Sequence, residues 1–368
     1  MHKTSATPLA ALYAALIVYA SLYPFGEWRN QGLNPLTFVW QAWSRYWTGF
    51  DVGINILGYL PFGFLLAAVF LRSGRTRYTV TLATLLAAVL SFAMEFTQGF
   101  LTTRVASNVD WATNALGAWL GALLALGLAR AGALARWSLI RSHWFVDDAR
   151  GGIVLMALWP VALMFPTAIP LGLGQISERL EETLAQWLAG TPLLDYLPVR
   201  EVELQPLLPG AEVLCVLLGA LIPALLGYCV IKGGLRRGTW AVGVLLMALA
   251  ATGLSAALSF GPERAWDWLA LPTRLGLGVA FLLALLLLFI PRRLAAALTL
   301  LALGVYLGVL NQAPLGPYFE INLHSWEQGQ FIRFNGLLQW LGWVWPFAAL
   351  VYVLMRVAGR DQLARRGR

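Results

Sequence analysis

Apolar runs of about 20 residues alternate along this chain with short polar segments. Ten runs stand out, at about 8–25, 52–71, 79–100, 112–130, 152–172, 211–231, 239–259, 270–290, 294–311 and 336–356. A helix rising ~1.5 Å per residue crosses a ~30 Å hydrocarbon core in roughly 20 residues. The pattern predicts an all-α fold, a polytopic integral membrane helical bundle of about ten transmembrane helices. Polar positions within the runs are few and grouped. Glu95 and Gln98 close the third run, and a spacing of three sets them on one helix face. Asp110, Asn114, Gly117 and Gly121 open the fourth at spacings that also keep to one face. The stretch Thr102 to Val109 is short enough to make this a helical hairpin, with Arg104 between its two polar faces. Glu95 lies about 24 Å along a helix that starts at Thr79, and the second run begins with Asp51 and Asn55. Polar groups from three helices therefore fall in one layer, where burial against lipid would be costly and contact with protein or water is expected.

Composition narrows the class. The chain has 368 residues, 59% hydrophobic and 12% charged, with mean hydropathy +0.68. A soluble domain carries roughly twice that charged fraction, so a soluble fold is excluded. The net charge of +8 is spread in small groups between the apolar runs. It reads as a topology signal, and no nucleic-acid partner is expected. With the N-terminus inside, Arg72, Arg77, Arg130, Arg141, Arg237, Arg293 and Arg356 all fall on inner segments. That orientation predicts both termini in the cytoplasm. Met1-His-Lys followed by an apolar stretch reads as an uncleaved first helix, with no small-residue cleavage site after it. Cys215 and Cys229 lie about 21 Å apart along one helix and cannot pair. His2, His143 and His324 show no metal-ligand spacing, and no phosphate loop or Ser/His or Cys/His arrangement is present. No metal and no cofactor is expected.

The segments between runs add one theme. Trp40, Trp43 and Trp47 recur at helical spacing within Pro35–Thr48, predicting a helix flat in the outer interface. Ile176–Leu188 repeats this, with Leu180, Leu184, Trp187 and Leu188 on one face and Glu178, Glu181 and Glu182 on or near the other. These aromatics fit an ordinary interfacial belt or the rim of a vestibule that receives an amphiphile. The expected division is a four-helix domain over 1–135 and a six-helix extension over 136–368, with outer loops 173–210, 260–269 and 312–335.

Four pieces in order carry a family resemblance: YASLYPF (Tyr19–Phe25), NILGYLPFGFLL (Asn55–Leu66), EFTQ (Glu95–Gln98) and the spaced set Arg104, Asp110, Asn114, Gly117. Over residues 8–130 the chain resembles the VanZ-like family of small bacterial membrane proteins. That family is similar to the accessory protein of glycopeptide-resistance clusters associated with low-level teicoplanin resistance. The resemblance implies a bacterial inner-membrane protein acting at the outer cell envelope. It implies no particular reaction. It falls on Asn55, Glu95, Gln98, Arg104, Asp110 and Asn114, and the later helices lie outside it.

Each of these residues admits two readings. Glu95 either locks the hairpin by pairing with Arg104 or serves a ligand. Asp110 is either a favourable first-turn helix residue or a site carboxylate. Asn114 either bridges helices or contacts ligand. Gly117-x3-Gly121 reads as close helix packing, and Pro61 as a kink. Three function classes follow. The first is a binding or accessory protein holding a membrane lipid or lipid-linked envelope precursor, with Arg104 on an anionic head group. The second is an enzyme on a lipid-linked substrate using Glu95 and Asp110 as an acid–base pair. The third is a transporter or flippase, which lacks support from any internal repeat or midplane charge.

Overall fold

The computed structural model describes residues 6–22, 25, 28–30, 32, 34–43, 49–73, 77–102, 104–193, 204–314 and 332–366. Tyr23 and Pro24 of the first family motif, Trp47, His2, His324, most of 312–335 and part of 173–210 lie outside the described residues. The helices are α1 (Ala6–Leu22), α2 (Thr37–Trp40), α3 (Gly49–Arg72), α4 (Thr79–Gln98), α5 (Asn108–Arg130), α6 (Ala133–Trp144) and α7 (Arg150–Ala162). There follow α8 (Ser177–Leu188), α9 (Pro209–Val230), α10 (Leu235–Phe260), α11 (Leu271–Leu286), α12 (Arg292–Leu310) and α13 (Ile332–Arg366). Among the described residues the only β pairing is two isolated bridges, Trp28 with Leu101 and Phe145 with Ile231. The protein is an all-α polytopic membrane bundle. Among the described residues seven helices are long and apolar enough to span: α3 from Asp51, α4, α5, α9, α10, α12, and Leu338–Ala358 of α13. The other three expected spans correspond to shorter apolar helices, α1, α7 and α11, of 17, 13 and 16 residues.

Two expectations need correction. The run 152–172 is not one helix: α7 stops at Ala162, and the chain continues as buried turns to Gln175. Pro166 and Pro170 lack amide hydrogens and bias Phe165 and Ile169 away from the helical region, and the two together favour ending the helix before them. The freed backbone is satisfied from elsewhere in the protein, as irregular backbone in a membrane requires. Tyr306 Oη donates to Leu171 O at 2.6 Å, Asn311 Nδ2 to Gly174 O at 3.1 Å, and Ser255 Oγ to Met164 O at 2.8 Å. Of the helix expected over Pro35–Thr48, the described residues 35–43 form only α2: Gln41 is extended and its carbonyl accepts from Asn108 Nδ2 at 2.7 Å, while 44–48 lie outside the described residues. The helix over 176–188 forms as expected.

The chain divides into two compact units, Met1–Leu139 and Ile140–Arg368. In the first, α3 and α5 pack backbone to backbone. A Cβ on Gly121 would sit 1.9 Å from Leu60 O, one on Gly117 2.3 Å from Ile56 O, and one on Gly63 2.0 Å from Ala118 O. Only glycine permits that approach. Around it, Tyr59, Phe62, Ala87, Met94 and Ala118 form the core with Ile17 and Leu22 of α1. Tyr13 Oη donates to Gly58 O at 2.9 Å, next to the Leu57 carbonyl that Pro61 deprives of its helical amide.

In the second unit α9 is the central helix. From Leu218 to Val230 every residue is buried, which suits a helix apolar on all sides. The Arg237 side chain is also buried and closes one end of this core, donating to the carbonyls of Tyr228, Leu288 and Ile290 at 2.8, 3.0 and 2.7 Å.

Candidate functional site

The candidate residues gather where α3, α4 and α5 meet at the end of the first unit that carries the α4–α5 loop. That loop ends in a helix cap. Ser107 is extended, and its Oγ accepts from the Asp110 amide at 3.3 Å, starting α5. Ser107-x-x-Asp110 has the spacing of a capping box, in which the third helical residue's carboxylate would turn back to the cap's own amide. Here another helix supplies that carboxylate. Glu95 of α4, only 4% exposed, accepts from the Ser107 N–H through Oε2 at 2.8 Å. A carboxylate at this position also faces the positive end of the α5 dipole.

Asp110 therefore turns to α3 instead. Asn55 Nδ2 donates to Asp110 Oδ1 at 2.9 Å, joining residues 55 positions apart. The glycine contacts between α3 and α5 make that reach possible. Gln98 behaves differently from the others: its Nε2 donates to Ser21 O of α1 at 2.9 Å and ties α1 to the end of α4. Arg104 lies half-buried in the loop, three residues before the cap. Of the six sequence-predicted residues, the structure joins Asn55 to Asp110 directly and places Glu95 on the same helix cap. It turns Gln98 toward α1.

One helical turn deeper lies a second tier. Asn114, four residues beyond Asp110, donates through Nδ2 to Ser91 Oγ at 3.0 Å, and Ser91 is four residues below Glu95. Tyr59, four residues below Asn55, brings its hydroxyl beside Ser91 without reaching hydrogen-bond geometry. Ser91 is fully buried, and Tyr59 and Asn114 are 6% and 7% exposed. Two atoms of this tier, Tyr59 Oη and Asn114 Oδ1, have no hydrogen-bond partner among the described residues. A buried polar atom left in that state costs about 1–3 kcal/mol. Neither Tyr59 nor Ser91 was singled out from the sequence. The available signal was spacing: each stands one helical turn from a residue that was.

The tiers offer carboxylate, amide and hydroxyl oxygens as acceptors in a low-dielectric setting, beneath a loop that carries a guanidinium. Such an arrangement can bind and orient a polar head group.

The VanZ/LLP1 family model matches residues 8–130. No curated protein and no solved structure matches the chain. This is thus a multi-pass membrane protein whose residues 8–130 form a VanZ-like region, and every candidate site residue lies within it.

Proposed function

We propose that the VanZ-like region is a binding module in the bacterial inner membrane that holds the head group of an envelope amphiphile, a membrane lipid or a lipid-linked precursor, at the outer leaflet. The observation that carries this reading is the convergence of Asn55, Glu95, Asp110 and Asn114 from three helices into two adjoining tiers, the upper half-buried around Asn55 and Asp110 and the lower buried. Polar groups in membrane helices are costly and tend to mark ligand paths. Cap formation explains Ser107 and Glu95, but it does not require Asn55 or Asn114. In this reading Arg104 grips a phosphate or carboxylate with its planar fork, while the amides beneath hydrogen-bond to the rest of the head group. Both termini lie in the cytoplasm, which directs the hairpin loop to the envelope side.

The test is chemical and genetic together. Lipid that co-purifies with the full-length protein is identified by mass spectrometry, for wild type and for Asp110→Asn and Arg104→Lys. Both variants are expected at wild-type abundance, depleted in the bound amphiphile, and unable to complement a deletion strain under envelope stress. Teicoplanin susceptibility of that strain tests a role in glycopeptide resistance. Wild-type lipid content and full complementation by both variants would remove the site from this region.

A further inference from the structure

The two tiers are chemically unlike. In the upper one, the donors and acceptors that the structure pairs are matched: the Asn55 amide with Asp110, the Ser107 amide with Glu95. The lower one leaves a carbonyl oxygen and a phenol hydroxyl over. Asn114 uses its donor on Ser91, which leaves its carbonyl oxygen unpartnered, and the Tyr59 hydroxyl, also near Ser91, is unpartnered too. Both side chains are more than nine-tenths buried. An anion is disfavoured in this tier despite the Tyr59 O–H, since it would meet a carbonyl oxygen below and carboxylates above. A group rich in N–H donors and positively charged would complete it.

We propose that the lower tier receives a primary ammonium, and hence that the ligand is zwitterionic: an amphiphile whose ammonium sits a few bonds from a phosphate. This inference rests on the binding reading above and specifies its ligand. The ammonium donates to Asn114 Oδ1 and Tyr59 Oη, with the Glu95 carboxylate one turn away as counter-charge. Its phosphate remains at the level of Arg104. The tiers are four residues apart, or about 6 Å along the helices, a gap that an aminoethyl phosphate is long enough to bridge. An ammonium nitrogen is also close to a water molecule in size, so the space required is small. A quaternary ammonium carries the same charge but has no N–H and more bulk, and it would be rejected.

The experiment is a titration of the purified full-length protein in detergent with three short-chain lipids: phosphatidylethanolamine, phosphatidylcholine and phosphatidylglycerol. Phosphatidylethanolamine is expected to bind at least about tenfold more tightly than phosphatidylcholine, a ratio that corresponds to ~1.4 kcal/mol. Tyr59→Phe, which removes one oxygen and little else, and Asn114→Ala should each erase that preference. Tyr59→Phe should leave the weaker, phosphate-dependent binding of all three lipids in place. Equal binding of the ethanolamine and choline lipids would assign the two atoms to a buried water and overturn the inference. A preference that survives in Tyr59→Phe would overturn it as well. Arg104→Lys separates this from the parent reading. If it weakens all three lipids while no ethanolamine preference exists, only the ammonium assignment fails. If it affects none of them, the binding reading fails and this inference goes with it.

Discussion

Asp110 meets two demands at once: its amide is capped by Ser107, and its carboxylate accepts from Asn55. The second bond ties α3 to α5, and polar bonds between membrane helices average about 0.6 kcal/mol and reach about 1.7. A double-mutant cycle of Asn55→Ala and Asp110→Ala, read by thermal unfolding in detergent, should return a coupling in that range. Asp110→Asn keeps an acceptor oxygen and should cost less than either alanine. Glu95 permits a sharper contrast. Glu95→Gln retains an oxygen for the Ser107 amide, whereas Glu95→Ala leaves that amide without its side-chain partner. The alanine variant should lose about 1–3 kcal/mol more than the glutamine variant by the same unfolding measurement.

The hairpin and its glycines act as one element. Gly121 stands against Leu60 O, while Gly127 on the same helix has open space around it. Gly127→Ala should therefore be neutral or gain up to about 1 kcal/mol from helix propensity. Gly121→Ala must push α3 away, lower the melting temperature, and weaken the Asn55–Asp110 bond about three turns above. Much of this element is legible in the sequence, because polar residues at helical spacing within apolar runs have few places to go. Tyr59 and Ser91 escape notice for a physical reason. Both are uncharged and common in apolar helices, so burial raises no alarm until their neighbours are known. The cap is written as Ser107-x-x-Asp110, yet only the structure shows that Glu95 of another helix completes it. The break after α7 was equally available in Pro166, Pro170, Gly172 and Gly174. There the apolar residues run on without a break, so the pattern alone does not separate the buried turn from a span.

At the scale of the molecule, the basic segments between helices predict one orientation. Reporter fusions after Arg141, Arg237 and Arg293 should all give a cytoplasmic signal, and an outside signal at any of them would invert that part of the topology. The enclosure of α9 has a consequence for how the second unit is made. Translation delivers α9 before α10, α11 and α12, the helices whose side chains and backbone come to cover it. Until they arrive, acyl chains must coat its sides, and assembly is then an exchange of lipid for protein around a helix already in place. Such an exchange is not driven by water, so it has to be driven by fit. The fit is visible in notches that only hydrogen can fill: Gly227, where a Cβ would lie 2.0 Å from Trp240 Nε1, and Gly276, where one would lie 2.8 Å from Val216 Cβ. Errors at those notches would strand a greasy helix among lipids, where it remains inserted but unassembled and open to the proteases that clear orphaned segments from the bilayer.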